Sequence, residues 1–318
     1  MSLADQRPPS ASPASVSAKA TVLRRLELDV TRRLDGMLSG DYLAFATGPG
    51  TEPAGARSYS PGDDARHMDW NLTARSLAPH VRTTEADREL ETWVVADRSA
   101  SLDFGTAQRE KREVVLGAVA AFGFLSVRAG NRLGVLIAGG EQLVRVPPVA
   151  GRLGMFAALS SVYDSPRQAS GPTVSSDLRG ALLRLERTVT RRGQIVVVSD
   201  FLDATEWAAP LRRLTLRHQV IAAQVSDPRE FDLPPVGMLT VIDPETGQRL
   251  DVQTNSDALR SRYAVAAEQR QRAITARIRS AGVEHLRLST DRDWVVDVVR
   301  FLGRRRSERV PASVRGGR

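Results

Sequence analysis

A handful of short apolar runs, separated by segments of helical spacing, constrain this chain more than any other feature. The strongest is Gln194 to Ser199, Gln-Ile-Val-Val-Val-Ser, apolar on successive residues and so on both faces of a strand. Thr92–Ala96, Leu133–Ala138, Gln219–Val225 and Glu284–Leu288 repeat the theme. Between them, helical spacing runs over about Thr106–Arg128, Leu153–Val162, Leu178–Leu185, Glu206–Leu216 and Ser256–Ala281. A last helix, capped by Asp291, turns Trp294, Val298 and Phe301 inward. Strands buried on both faces require helices on both faces. The predicted fold is therefore α/β, a mostly parallel six-stranded sheet in the order 3-2-1-4-5-6. One antiparallel edge strand, Gln142–Val146, follows from the hairpin signal Gly139-Gly140.

Around this body the chain divides into four parts. Residues 1–20, rich in Ala, Ser and Pro, read as disordered. Residues 21–91 hold an N-terminal helix with an apolar stripe at Leu23, Leu26, Val30, Leu34 and Met37, then an irregular segment with turns at Gly48-Pro49-Gly50 and Pro61-Gly62-Asp63. Residues 92–303 carry the strand and helix alternation. A second hairpin, Met238–Ile242 with Arg249–Val252, turns at Asp243-Pro244-Glu245-Thr246-Gly247. Residues 304–318 form a basic tail.

Composition narrows the chemistry. With no cysteine, disulfides, thiolate metal sites and a cysteine nucleophile are excluded. The four histidines lack ligand spacing, which argues against zinc. The longest apolar stretch, Val114–Val127, is too short to span a bilayer, and no signal-peptide layout opens the chain, so a cytoplasmic location is expected. The net charge is +8, yet only Lys19 and Lys111 are lysines beside 43 arginines. Such a bias needs no nucleic-acid partner to explain it. Six arginines against Glu308 concentrate much of the charge between Gly303 and Arg318.

In a parallel sheet, ligands collect where strands end. Asp97, Ser99 and Ser101 follow the first strand at alternate positions, so their oxygens converge. Asp200 follows the Gln194–Ser199 strand and lies at the same edge. The segment Ser176-Asp177-Leu178, which opens a helix, points to the same place. An all-oxygen set suits Mg²⁺ or Mn²⁺.

This constellation resembles the metal-ion-dependent adhesion site of von Willebrand factor A domains. The resemblance implies that Ser99, Ser101 and a third hydroxyl, from Ser176 or Thr173, bind Mg²⁺ directly while Asp97 and Asp200 act through water; the alternative for Ser176 and Thr173 is helix capping. One position would be left for an acidic group of a partner. A second resemblance is more specific. Arg57-Ser58-Tyr59-Ser60-Pro61-Gly62-Asp63-Asp64-Ala65-Arg66, with Asp69-Trp70 and Thr73-Ala74-Arg75, is similar to the signature of the bacterial family called domain of unknown function 58. Phe104-Gly105, Ser199-Asp200-Phe201 and Asp227-Pro228-Arg229-Glu230 fit the same family, and the likeness runs from about Leu23 to Arg306. It implies a von Willebrand factor A-like fold and an adaptor role beside a MoxR-type AAA+ ATPase.

The Pro-Gly-Asp-Asp block has two readings. Asp63, Asp64 and Asp69 can pair with Arg66 and Arg75 in a salt-bridged turn, or the block together with Tyr59 and Trp70 can face a partner. The expected function is a non-enzymatic, Mg²⁺-dependent protein-interaction module with no membrane span and no specific nucleic acid. Two alternatives belong to other classes. A phosphatase-like enzyme would use Asp97 as nucleophile, although Ser99 stands where its second aspartate is required. An arginine-rich nucleic-acid binder would lose strongly salt-dependent binding with its tail.

Overall fold

Six strands form the central sheet, in a computed structural model that describes residues 13–37, 56–60, 68–76, 78–82, 90–139, 143–167, 177–203, 205–243 and 247–309. In chain order the elements are helix α1 (Pro13–Met37), strand β1 (Ala56–Ser58), α2 (Trp70–Ser76), β2 (His80–Arg82), β3 (Glu91–Asp97), α3 (Lys111–Arg128), β4 (Arg132–Ala138), β5 (Val144–Ala150), α4 (Gly151–Asp164), α5 (Leu178–Thr188) and β6 (Gly193–Ser199). There follow α6 (Ala208–Thr215), β7 (Gln219–Ser226), β8 (Met238–Ile242), β9 (Arg249–Gln253), α7 (Asp257–Ser280), β10 (Glu284–Ser289) and α8 (Trp294–Arg309).

The sheet order is β10-β7-β6-β3-β4-β5, with every pair parallel except β4 with β5. Counted along the chain within this sheet, that is the expected 3-2-1-4-5-6 with one antiparallel edge. It is the arrangement that the von Willebrand factor A resemblance implies. Register places Val95 between Leu136 and Val197, and residues 92–97 of β3 are buried throughout. Alternate residues feed two cores. Val94, Ala96, Val196 and Val198 pack with α1, α3, α4 and α8; Trp93, Val95 and Val197 pack with α5, α6 and α7.

Helix α3 is apolar nearly all round because it lies on the sheet and is itself covered by α1 and α8. Gly117 permits that close layering: a Cβ there would stand 2.7 Å from the Trp294 ring. Helix α1 contributes Leu23, Val30 and Leu34 to the same core and ties itself down through Arg152, whose Nε and Nη2 donate to the Glu27 carboxylate at 2.6 and 2.8 Å. Arg33 pairs with Asp293, and Lys19 with Asp164.

Several boundaries differ from the sequence expectations. Helix α1 begins at Pro13, inside the stretch expected to be disordered. Alanines and serines there extend the helix, and Pro13 suits a first turn that needs no N–H. Met37, expected in the buried stripe, is 45% exposed because the helix ends there. Helix α3 begins at Lys111 rather than Thr106, whose N–H and hydroxyl are drawn to Asp227 instead. The cap of the last helix is Asp293, which accepts from Val295 N at 3.1 Å; Asp291 accepts from Ser289.

The irregular region yields a small unit of its own. Strands β1 and β2 pair antiparallel, and Asp69 accepts from Leu72 N at 3.1 Å at the start of α2. Among the described residues no helix is long and apolar enough to cross a membrane.

Candidate functional site

Asp97 closes β3 and points along the strand-end edge as a side chain only 1% exposed. Its Oδ1 accepts from the backbone N–H of Ser99 at 2.9 Å and its Oδ2 from the Ser199 hydroxyl at 2.6 Å. The Ser99 and Ser101 hydroxyls lie 3.1 Å apart. This is the convergence that alternate spacing predicts, although the chain reaches it by entering a short 3₁₀ turn, Ala100–Asp103, rather than by staying extended.

Asp200 sits at the end of the neighbouring strand β6 and repeats the local geometry: its Oδ1 accepts from Leu202 N at 3.1 Å. Between them Phe201 adopts a left-handed backbone, φ 59°. That conformation is costly for a bulky residue and persists only where the surroundings impose it. Here Ser199 Oγ accepts from Phe201 N at 2.9 Å, and the buried ring packs on Trp207 with centroids 5.1 Å apart. Ser199 thus serves Asp97 with its proton and Phe201 with its lone pair.

Burial and the neighbouring Asp200 charge together raise the Asp97 carboxyl from 3.8 to about 7, against the opposing pull of its bonds to Ser199 and Ser99. Two carboxylates this poorly solvated need a cation. One cation is covalently present. Lys111, at the first position of α3 and 1% exposed, donates to Asp200 Oδ2 at 2.8 Å and to Glu230 Oε1 at 2.5 Å. Burial alone would push the lysine down, but Asp200 and then Glu230 outweigh it and hold the ammonium well above the ordinary range. Burial raises Glu230 against the pull of Lys111.

The network continues. Glu230 Oε2 accepts from Asp227 N at 3.1 Å, and buried Asp227 accepts from Thr106 N, Thr106 Oγ1, Arg229 N and Thr290 Oγ1 at 2.6–2.9 Å. Burial would raise Asp227, and these bonds reverse that and lower it. The ends of β3, β6, β7 and β10 are thereby joined by side chains. On the other flank Arg98 is buried, its Nη2 donating to Ser165 O at 3.4 Å, an acceptor it shares with Arg112 at 3.2 Å. Burial, and then the Arg112 charge, lower it to about 10.

The structure brings together Asp97, Ser99, Ser101 and Asp200. Ser176 and Thr173 lie outside the described residues. Asp177 caps α5 by accepting from Gly180 N at 2.6 Å. Among the described residues no three His, Cys, Asp or Glu side chains form a metal-holding group, so a cation centre here depends on the hydroxyls. Of the second candidate surface, Asp63, Asp64 and Arg66 lie outside the described residues. Asp69 is the helix cap, Arg75 lies in the last turn of α2, and Tyr59 and Trp70 are exposed.

Residues 55–273 match the model of the family described as "Protein of unknown function DUF58". The chain belongs to this family. The DUF58 match takes in Asp97, Lys111, Asp200 and Glu230. An uncharacterized protein of Mycobacterium tuberculosis (strain H37Rv) is 47% identical over 287 residues, covering 90% of each chain. Another, from Mycobacterium avium, is 38% identical over 164 residues, which is 52% of this chain and 95% of that one. Among solved structures, BatB from Bacteroides thetaiotaomicron is similar with a TM-score of 0.40 at 14% identity, covering 69% of this chain and 99% of that chain. A von Willebrand factor type A structure from Catenulispora acidiphila has a TM-score of 0.38 at 12% identity, over 68% and 42%.

Lys111, Glu230 and Ser199 were not singled out by sequence reasoning. One signal was present: Lys111 is one of two lysines in a chain that otherwise uses arginine for positive charge.

Proposed function

We propose that this DUF58 protein is a non-enzymatic interaction module that grips an acidic group of a protein partner through a Mg²⁺ or Mn²⁺ centre. The observation that carries this reading is the buried Asp97 beside Asp200, with the Ser99 and Ser101 hydroxyls converging on the same strand-end edge. The donor set fits the ion: all ligands are oxygen, and neutral hydroxyls beside two carboxylates suit a partly hydrated hard cation. Ser99 and Ser101 would be direct ligands, with Ser176 or Thr173 as the third, while Asp97 and Asp200 would act through water. A bound divalent ion supplies one open coordination position that an Asp or Glu of the partner can fill. The protein's own part is to hold the oxygens in place, which the Asp97–Ser199 and Asp97–Ser99 bonds do.

A MoxR-type AAA+ ATPase is the partner class this family membership favours, and the cytoplasm the matching location. Against an enzymatic use of Asp97, both carboxylate oxygens already accept hydrogen bonds and the side chain is closed to solvent, a poor state for a nucleophile. Affinity capture from a lysate, with Mg²⁺ and with EDTA, tests the reading. The ATPase should be retained by the wild type in Mg²⁺ and lost both in EDTA and from Ser99→Ala/Ser101→Ala. Equal capture in all three would show that the contact lies elsewhere, with Tyr59, Trp70 and their neighbours the next surface to examine.

A further inference from the structure

The buried ion pair beside the centre has no counterpart in the reasoning from hydroxyls and aspartates. Lys111 reaches in from the first turn of α3 and bonds Asp200 on one side and Glu230 on the other. Both oxygens of Asp200 are therefore engaged, Oδ1 by Leu202 N and Oδ2 by Lys111.

The choice of lysine is itself informative. Arginine supplies 43 of the 45 basic side chains, yet a lysine is the cation wedged between Asp200 and Glu230 in the interior. An ammonium is a compact point charge with three donors. A guanidinium is a wide planar fork whose donors point in fixed directions, so the two side chains are not interchangeable here.

We propose that Lys111 is a built-in counter-cation that weakens the centre's hold on a divalent ion, so that firm metal binding waits for the partner's carboxylate. This deepens the metal-dependent reading and rests on it. The argument is electrostatic and geometric. Lys111 cancels one negative charge a few bonds from the cation position and withholds one oxygen of Asp200 from the water network that would surround the ion. An open centre that is only partly neutralised binds Mg²⁺ loosely, and a partner carboxylate adds the missing negative charge. Lys111 is thus a positioning residue: it acts through Asp200 and touches no ligand of the ion.

The test exploits opposite signs. In the full chain, Lys111→Gln removes the charge and keeps a hydrogen-bond donor; Lys111→Met removes both; Glu230→Gln removes a negative charge from the other side of the lysine. Calorimetric titration with Mg²⁺ alone should show roughly tenfold tighter binding in Lys111→Gln and weaker binding in Glu230→Gln. A merely structural role would loosen the site in both, and that outcome overturns the proposal. Should Lys111→Met fail to fold, Lys111→Gln and Glu230→Gln still decide. If the wild type takes up no Mg²⁺ while Lys111→Gln does, the lysine holds the partner-free centre below measurable affinity and the inference stands. If neither binds, both fall. Tighter binding by Lys111→Gln must vanish when Asp97→Ala is added, which ties the ion to this site.

Discussion

Two regions of this molecule are candidates to meet a partner, and they are built on opposite principles. At the strand ends the functional groups are buried and bonded: Asp97, Ser99, Ser101, Asp200 and Lys111 are all buried, and each carboxylate oxygen of Asp97 and Asp200 has a donor. In the unit of β1, α2 and β2 the chemistry is displayed. Trp70 is 68% exposed, Tyr59 stands in solvent, and of that unit only Val81 is a buried apolar side chain among those described. Buried polar groups are expensive and are kept when something specific depends on them. Exposed aromatics cost the fold little and supply contact area. The first region is therefore where substitutions should damage the protein itself, and the second where they should damage only what it meets.

The largest expected break is at Asp200. Replacing it with Ala leaves the Lys111 ammonium buried beside Glu230 alone, and removing one partner of a buried ion pair costs about 3–5 kcal/mol. Urea unfolding in EDTA should show that loss, and a change within about 0.5 kcal/mol, the scale of an ordinary surface substitution, would mean the pair is solvated and the contrast between the regions is false.

A smaller effect comes through pH. Burial, with Arg287 and Arg279 nearby, lowers His285 to about 4, while its Nε2 donates to Gln224 Oε1 at 3.0 Å. In the unfolded chain the ring titrates near 6.5. Between those values the unfolded state holds more protons, so the stability that His285 contributes is complete above 6.5 and is lost as pH falls toward 4. Asp97, raised from 3.8 to about 7, works in the opposite sense and favours the fold as pH falls. The His285 contribution is isolated by subtracting His285→Gln, whose melting temperature should fall less than the wild type's between pH 7 and pH 4. Parallel curves would contradict it.

The smallest effect on the fold is at Trp70. Trp70→Ala should change unfolding stability by no more than about 0.5 kcal/mol, because the side chain is in solvent. If the exposed unit contacts the partner, the same variant lowers partner capture in Mg²⁺ without altering Mg²⁺ affinity. A melting temperature that drops by many degrees would show that Trp70 is part of a core.

How much of this was readable in the residues depends on the range of the interaction. The strand Ile195–Val198 declared itself because a run of branched apolar residues can only be buried on both sides, and from such runs the sheet order followed by handedness and adjacency. Asp97, Ser99 and Ser101 were legible because alternation along a strand end is a local geometric fact. Lys111 was not. A lysine at the start of a helix looks like a solvated surface group, and the carboxylates that hold it lie 89 and 119 residues further along the chain. Glu230 was seen as one letter of a motif; only the fold places it opposite Asp200. The early start of α1 escaped for a different reason, since alanine and serine are as compatible with a helix as with a solvated tail, and the one described ion pair in the added part joins Lys19 to Asp164, far along the chain.

The account stands on the strand-end oxygens forming a cation centre, and Mg²⁺ titration calorimetry of the metal-stripped protein tests it most directly. The wild type should bind one Mg²⁺, while Ser99→Ala/Ser101→Ala and Asp97→Ala, folded by circular dichroism, should bind none. Uptake of Mg²⁺ by both variants with the wild-type affinity and stoichiometry would contradict the account.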